Sequence, residues 1–211
     1  MKIFDDEKLN PDVADALYEL NNVGAGQASI ALSKMMGMSL SIGRPKVMRG
    51  KLSELPLTGS DPGKIDMGIL MTMEKTFGGV VLFVLDKRFL SDLFLKLTGV
   101  RYDADEMLRD EESLSATREI ANIIAAAYTK AIGAYIGMRL FLSPAMVGMD
   151  QVGSLMSFAA SHYNISNDMV ICVDTSFRAA DAGTEPEAYA SRIIMLPDDR
   201  SVEEMMVALG I

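Results

Sequence analysis

The sequence predicts an α+β fold built from two copies of one unit, each a long helix followed by strands that join a shared sheet. Three observations lead there. A polar triplet occurs twice, 100 residues apart: Asp15, Glu19 and Asn22, then Ser115, Glu119 and Asn122. At the same offset Gly37, Met38 and Leu40 match Gly137, Met138 and Leu140. Further on, residues 80–86 (VVLFVLD) match residues 192–198 (RIIMLPD), and each run leads into a helical segment that ends on Gly, at Gly99 and Gly210. A repeat this long is no solenoid. The expected product is one domain over residues 1–211, with repeats at about 11–100 and 111–211 and an acidic linker at 101–112.

The elements follow in order. Asn10 before Pro11 is a helix start, an N-cap residue with proline at the first helical position. Val13, Leu17, Leu20, Val23, Ala31 and Met35 then recur at helical spacing until Gly37. Gly24 and Gly26 weaken that helix, which predicts either a bend or break there or a close approach to its backbone. Residues 38–46 read as one strand ending near Pro45, and residues 55–64 as a loop holding Pro56, Gly59, Pro62 and Gly63. Residues 66–74 and 78–86 read as a hairpin turning around Lys75 to Gly79, and residues 87–98 as a helix. The second copy repeats the order with a helix at 113–135 and a strand at 138–142. A helix at 147–160 has no visible counterpart in the first copy. Strands at 167–178 and 189–197, an exposed loop at 179–187 and a helix at 201–209 complete the chain.

Composition narrows the function. Hydrophobic residues make up 49% and charged residues 23%, a balance that excludes wholesale disorder. A net charge of −9 argues against a nucleic-acid partner, and the strip Arg44, Lys46, Arg49, Lys51 is interrupted. One cysteine, Cys172, in an apolar run, and one histidine, His162, make neither a disulfide nor a zinc set. A Cys172–His162 hydrolase is arithmetically possible, but nothing near either residue suggests an activated thiol. The seventeen methionines suit adaptable packing rather than metal binding. Residues 1–10 lack the apolar run of a signal peptide, and no stretch reaches the roughly 18 apolar residues of a membrane span. The expected compartment is the cytoplasm.

Offsets of i, i+4 and i+7 fall within a wedge of about 60° on a helix, so each triplet stands on one face. Glu and Asn without a nucleophile or metal cage cannot perform covalent catalysis. Asn can hold a water in one orientation, and Glu can pair with a partner's Lys or act as a base. Together they suit attack by positioned water on an electrophile brought from outside. The small residues Val23 to Gly26 and Ala125 to Ala127 would let that partner come close. An acid and an amide are also what a solvated helix face looks like. Asn22 and Asn122 are poor helix formers at the same mid-helix place in both copies, and the residues alone leave both readings open.

The segments Glu19-Leu-Asn-Asn22-Val-Gly-Ala-Gly26 and Ser115-Ala-Thr-Arg-Glu119-Ile-Ala-Asn122 resemble the duplicated signature of the CheC/CheX/FliY phosphatases of chemotaxis. That signature is Asp or Ser, three residues, Glu, two residues, Asn, then about 21 residues and Pro. Twenty-one residues separate Asn122 from Pro144, and 22 separate Asn22 from Pro45, a one-residue excess. The resemblance implies that the substrate is the aspartyl-phosphate of a CheY-type response regulator. It implies that Asn22 and Asn122 orient the attacking water, that Glu19 and Glu119 pair with the regulator's Lys, and that Asp15 and Ser115 support the row. It implies no cofactor of the chain's own, with Mg²⁺ supplied by the regulator. It also implies CheD as a possible partner at the 147–160 segment, with Asp150 the candidate contact. Two intact triplets, with neither a FliN-like domain nor a docking extension, favour a CheC-like protein. Asn21 stands where many relatives carry Gly, which predicts narrower access to the first site. The alternative is a non-catalytic binding module like the middle domain of FliM.

Overall fold

Asn10 caps the first helix as its sequence predicts: its side-chain oxygen accepts from the Asp12 amide at 2.9 Å, and Pro11 needs no partner for a missing N–H. The computed structural model describes residues 4–5, 8–55, 63–74, 77–102, 104–163, 169–179 and 191–211. A short hairpin of β1 (Phe4–Asp5) and β2 (Lys8–Leu9) precedes α1 (Pro11–Met36), β3 (Leu40–Ile42), β4 (Lys46–Lys51), β5 (Ile65–Glu74), β6 (Gly79–Leu85) and α2 (Lys87–Thr98). After a short α3 (Ala104–Met107) come α4 (Glu111–Ile136), β7 (Phe141–Leu142), β8 (Met146–Gln151), α5 (Val152–His162), β9 (Met169–Ala179), β10 (Ser191–Pro197) and α6 (Asp199–Leu209). The predicted turn at Lys75, most of the loop at 55–64 and nearly all of that at 179–187 lie outside the described residues.

Eight strands form one antiparallel sheet in the order β3–β9–β10–β6–β5–β7, with β4 also on β9 and β8 also on β5. The strands cross between repeats: β3 and β4 of the first pair with β9 of the second, and β7 and β8 of the second pair with β5 of the first. At the centre β6 pairs with β10, and Leu82 lies opposite Ile194. Those two residues are also each other's counterparts in the repeat, so the pseudo-twofold axis passes between them.

Side-chain alternation splits the core by the period-2 rule. Ile69, Met71, Met73, Val81, Phe83, Leu85, Ile193 and Met195 face α1, α2, α4 and α6. Leu70, Val80, Leu82, Val84, Cys172, Ile194 and Leu196 pack on the other face with Val152, Met156 and Ala159 of α5. Asp86 and Asp198 each cap the helix that follows, α2 and α6. Gly37 and Gly137 end the two long helices at φ 62° and 69°, a left-handed conformation that favours glycine.

Four sequence expectations need correction. First, α1 does not break at Gly24 or Gly26; it is one helix of 26 residues. The other expectation holds at Gly24, where a Cβ would meet Tyr128 Cε2 and Ile132 Cδ1 at 2.8 Å, so α4 lies against its backbone. Second, residues 38–46 are not one strand, because Gly43 to Pro45 form a bulge between β3 and β4. Across it three residues face two on β9, since Ile42 pairs with Phe177 and Lys46 with Asp174. Third, residues 147–151 are strand rather than helix, and α5 begins only at Val152. Strand β8 thus matches β4, and α5 begins at the place where the described residues of the first repeat form a 3₁₀ turn, Leu52–Glu54.

The fourth correction concerns the prolines. Leu142 pairs with Met73 and Met146 with Leu70, so Ser143 to Ala145 form the same bulge against β5. The offset of 100 therefore holds through both bulges, from Ile42 and Leu142 to Lys46 and Met146. The 22-residue spacing is no insertion: proline fills the bulge's third place at Pro45 and its second at Pro144. Pro45 is buried and Pro144 exposed as a result.

Candidate functional site

Asp15, Glu19 and Asn22 all lie exposed on α1, while Val13, Leu17, Leu20 and Ala28 enter the core. Ser115, Glu119 and Asn122 are likewise exposed on α4, with Ile120, Ile124 and Tyr128 inward. Three-residue and four-residue steps keep each row in line on its helix. Both helices pack on one face of the sheet and on each other, crossing where Gly24 admits Tyr128 and Ile132. The structure thus presents the two triplets to solvent from neighbouring helices.

The second row borders a concavity. Asn122, Ala125, Ala126 and Thr129 of α4 face Leu140 to Pro144 across a cleft of about 490 Å³ with Met71 among its walls. The β7–β8 bulge holds that wall in place: the Ser143 amide donates to Thr72 O at 2.9 Å, and the Thr72 amide donates to Ser143 Oγ at 3.0 Å. The spacing from Asn122 to Pro144 thereby becomes proximity in space. Ile123 and Phe141, 44% and 41% exposed, add apolar surface beside Asn122, where the first repeat has Val23 and Ser41.

Asn21 is displaced from its expected role. It is fully buried, so its side chain lies in the core rather than beside the exposed row. Its Oδ1 accepts from the Tyr128 hydroxyl at 2.5 Å, and its Nδ2 donates to Thr175 Oγ1. Sequence reasoning missed this set because Asn21 looks like part of a polar pair with Asn22. The available signal was angular: adjacent helical residues point about 100° apart, which turns Asn21 toward the core.

The other expected residues separate. Asp150 lies on strand β8, where its Oδ1 accepts from the Gln151 amide at 2.7 Å. It lines an apolar groove of about 270 Å³ with Gly68, Leu155 and Phe158 under α5. Cys172 is fully buried; burial, and then Asp174, push its thiol far above the usual range, so it is no nucleophile. His162 is exposed at the end of α5, stacked on Phe158. Among the described residues no group of three or more His, Cys, Asp and Glu is placed to hold a metal, and no helix is long and apolar enough to cross a membrane.

This architecture, with its exchanged strands and paired surface helices, is the fold of the CheC, CheX and FliY proteins. In sequence the chain resembles the CheY-P phosphatase CheC of Bacillus subtilis (strain 168), at 26% identity over 204 residues and 96% of both chains. No protein-family model matches it. FliY from Thermotoga maritima superposes with a TM-score of 0.69 at 19% identity, covering 96% of this chain and 98% of that one. The FliM middle domain from H. pylori superposes with a TM-score of 0.60 at 12% identity, over 95% and 99%. A CheX–CheY–BeF3–Mg²⁺ complex from Borrelia burgdorferi gives a TM-score of 0.56 at 17% identity, over 84% and 97%.

Proposed function

We propose that the chain is a chemotaxis phosphatase that hydrolyses the aspartyl-phosphate of a CheY-type response regulator. The observation that carries this reading is the pair of solvent-facing Glu/Asn rows, at one offset on two matching helices. The likeness to the B. subtilis phosphatase supports it, as does the likeness to a CheX solved with CheY. Asn22 and Asn122 hold a water in line with phosphorus, donating through the amide N–H and accepting through the carbonyl. Glu19 and Glu119 pair with the regulator's Lys and seat the helix, with Asp15 and Ser115 supporting the row. The water oxygen bonds to phosphorus, the bond to the aspartyl oxygen breaks, and carboxylate and inorganic phosphate leave. Mg²⁺ held by the regulator neutralises charge on the phosphoryl oxygens, and this chain contributes position. The reading puts the protein in the cytoplasm with its partner. It puts CheD, where present, at the groove that includes Asp150 and the 56%-exposed Phe158.

A second reading is favoured by the FliM likeness, which spans nearly the whole chain: a binding module without catalysis. Loss of phosphate from a phosphorylated CheY-type regulator separates the two. Acceleration that falls in Asn22→Ala and in Asn122→Ala and vanishes in the double variant supports the phosphatase. No acceleration by the unaltered protein, with and without CheD, supports the binding module.

A further inference from the structure

We propose that Asn21, Tyr128 and Thr175 form a buried clamp that fixes the rotation of α1 and so positions Glu19 and Asn22, a device that the second row does without. Its kinetic consequence rests on the phosphatase reading; its structural consequence does not.

The turn that carries the first row is the weakest part of its helix. Asn21, Asn22, Val23, Gly24 and Gly26 are all poor helix formers. Asn122 repeats Asn22 in α4, but the other matching residues are Ala121, Ile123, Ile124 and Ala126, which hold a helix better or pack more apolar surface. Packing at Gly24 is also less directional than an interlocked side chain, because a glycine offers only backbone to Tyr128 and Ile132. The clamp sits where this weakness lies. Asn21, Tyr128 and Thr175 are each fully buried, and they belong to α1, α4 and β9 respectively. Tyr128 donates to the amide oxygen and Thr175 accepts from the amide nitrogen, so both ends of one side chain are tied to two other elements. A rotation of α1 that turned Asn22 would break both bonds inside the core, where water cannot replace them. At the symmetry-related positions Ala121 of α4 replaces Asn21 and Ala28 of α1 replaces Tyr128, so the same set cannot form beside the second row. Asn21 is thus a positioning residue that acts through its neighbour.

The test uses the full chain with one row disabled at a time. Thr175→Val removes the acceptor at nearly constant volume. In the Asn122→Ala background, where the first row alone acts, it lowers turnover at saturating regulator by about tenfold or more. In the Asn22→Ala background turnover stays within about twofold of that background alone. Thr175→Ser restores the first row. Hydrogen exchange at residues 19–26 accelerates in Thr175→Val, while residues 119–126 keep their protection. If Thr175→Val does not fold, Tyr128→Phe serves in the same scheme. Equal losses from both rows, or no loss from the first, overturn the clamp. If the unaltered protein fails to accelerate dephosphorylation, the phosphatase reading falls and exchange decides alone: unchanged protection at 19–26 overturns the clamp, and a selective rise sustains it.

Discussion

Gly24→Ala and Gly26→Ala are the same chemical change two residues apart in one helix, and the structure predicts opposite effects. Both glycines lie inside α1, and neither has positive φ. Alanine should therefore stabilise the helix by about 1 kcal/mol at either place on propensity alone. At Gly26 a Cβ meets nothing within 4 Å, so the gain stands. At Gly24 it lies 2.8 Å from Tyr128 Cε2 and 2.9 Å from Ile132 Cγ1. Ile132 can yield at its tip, but the Tyr128 ring is held by its bond to Asn21 and by an edge contact with Phe83 at 6.1 Å. Overpacking of that kind costs about 1–3 kcal/mol, leaving Gly24→Ala roughly 0–2 kcal/mol less stable than the parent. The two variants should then differ by about 1–3 kcal/mol, or roughly 2–12 °C in Tm for a chain of this size. Thermal unfolding followed by circular dichroism reads the difference. A Gly24→Ala protein melting at or above Gly26→Ala would refute the helix contact at Gly24.

Further outcomes are expected. Arg192 and Asp174 form an ion pair at 3.2 Å with both side chains at most 3% exposed; Arg192→Ala should cost about 3–5 kcal/mol in urea unfolding, and Arg192→Met with Asp174→Leu should recover most of it. The hydrogen bonds from the Ser113 hydroxyl and amide hold the Asp110 carboxyl, the N-cap of α4, below the usual aspartate range. A depressed acid stabilises the fold above its unfolded pKa and loses that contribution as pH falls through the folded one. Melting of Asp110→Asn, which still caps but does not titrate, should therefore begin to converge on the parent only as pH falls below about 4, and meet it once pH has passed the lowered folded pKa. Cys172 should resist iodoacetamide in the folded protein and react in urea; rapid native alkylation would contradict its burial.

The elements legible in the sequence were those with strong local signals. Asn10-Pro11 and Gly37 bound α1, and the apolar runs of β5 and β6, buried nearly throughout, announce the hairpin. The exposed rows were legible too, because three-residue and four-residue steps survive any packing. Strands β4 and β8 were not: they are half-buried along most of their length, so neither shows the alternation of a one-faced strand. Their neighbours lie in the other repeat, and such pairing leaves no local mark. The bulges hid for a related reason, since a proline tells where a ladder is interrupted and not how many residues the partner strand contributes. Asn21 depends on a tyrosine 107 residues away, and without that partner it reads as surface.

The crossing of strands between repeats has a consequence for how unequal the two rows can become. Two separate copies of one such unit would close the same sheet as a symmetric dimer, with Leu82 and its counterpart on the twofold axis. Every residue on one subunit would then be repeated on the other, and both rows would be obliged to match. Joining the units in one polypeptide removes that obligation. Asn21 can face Tyr128 while Ala121 and Ala28 replace them across the axis, and proline can take different places in the two bulges. Covalent linkage is what permits one half to specialise while the other keeps its form.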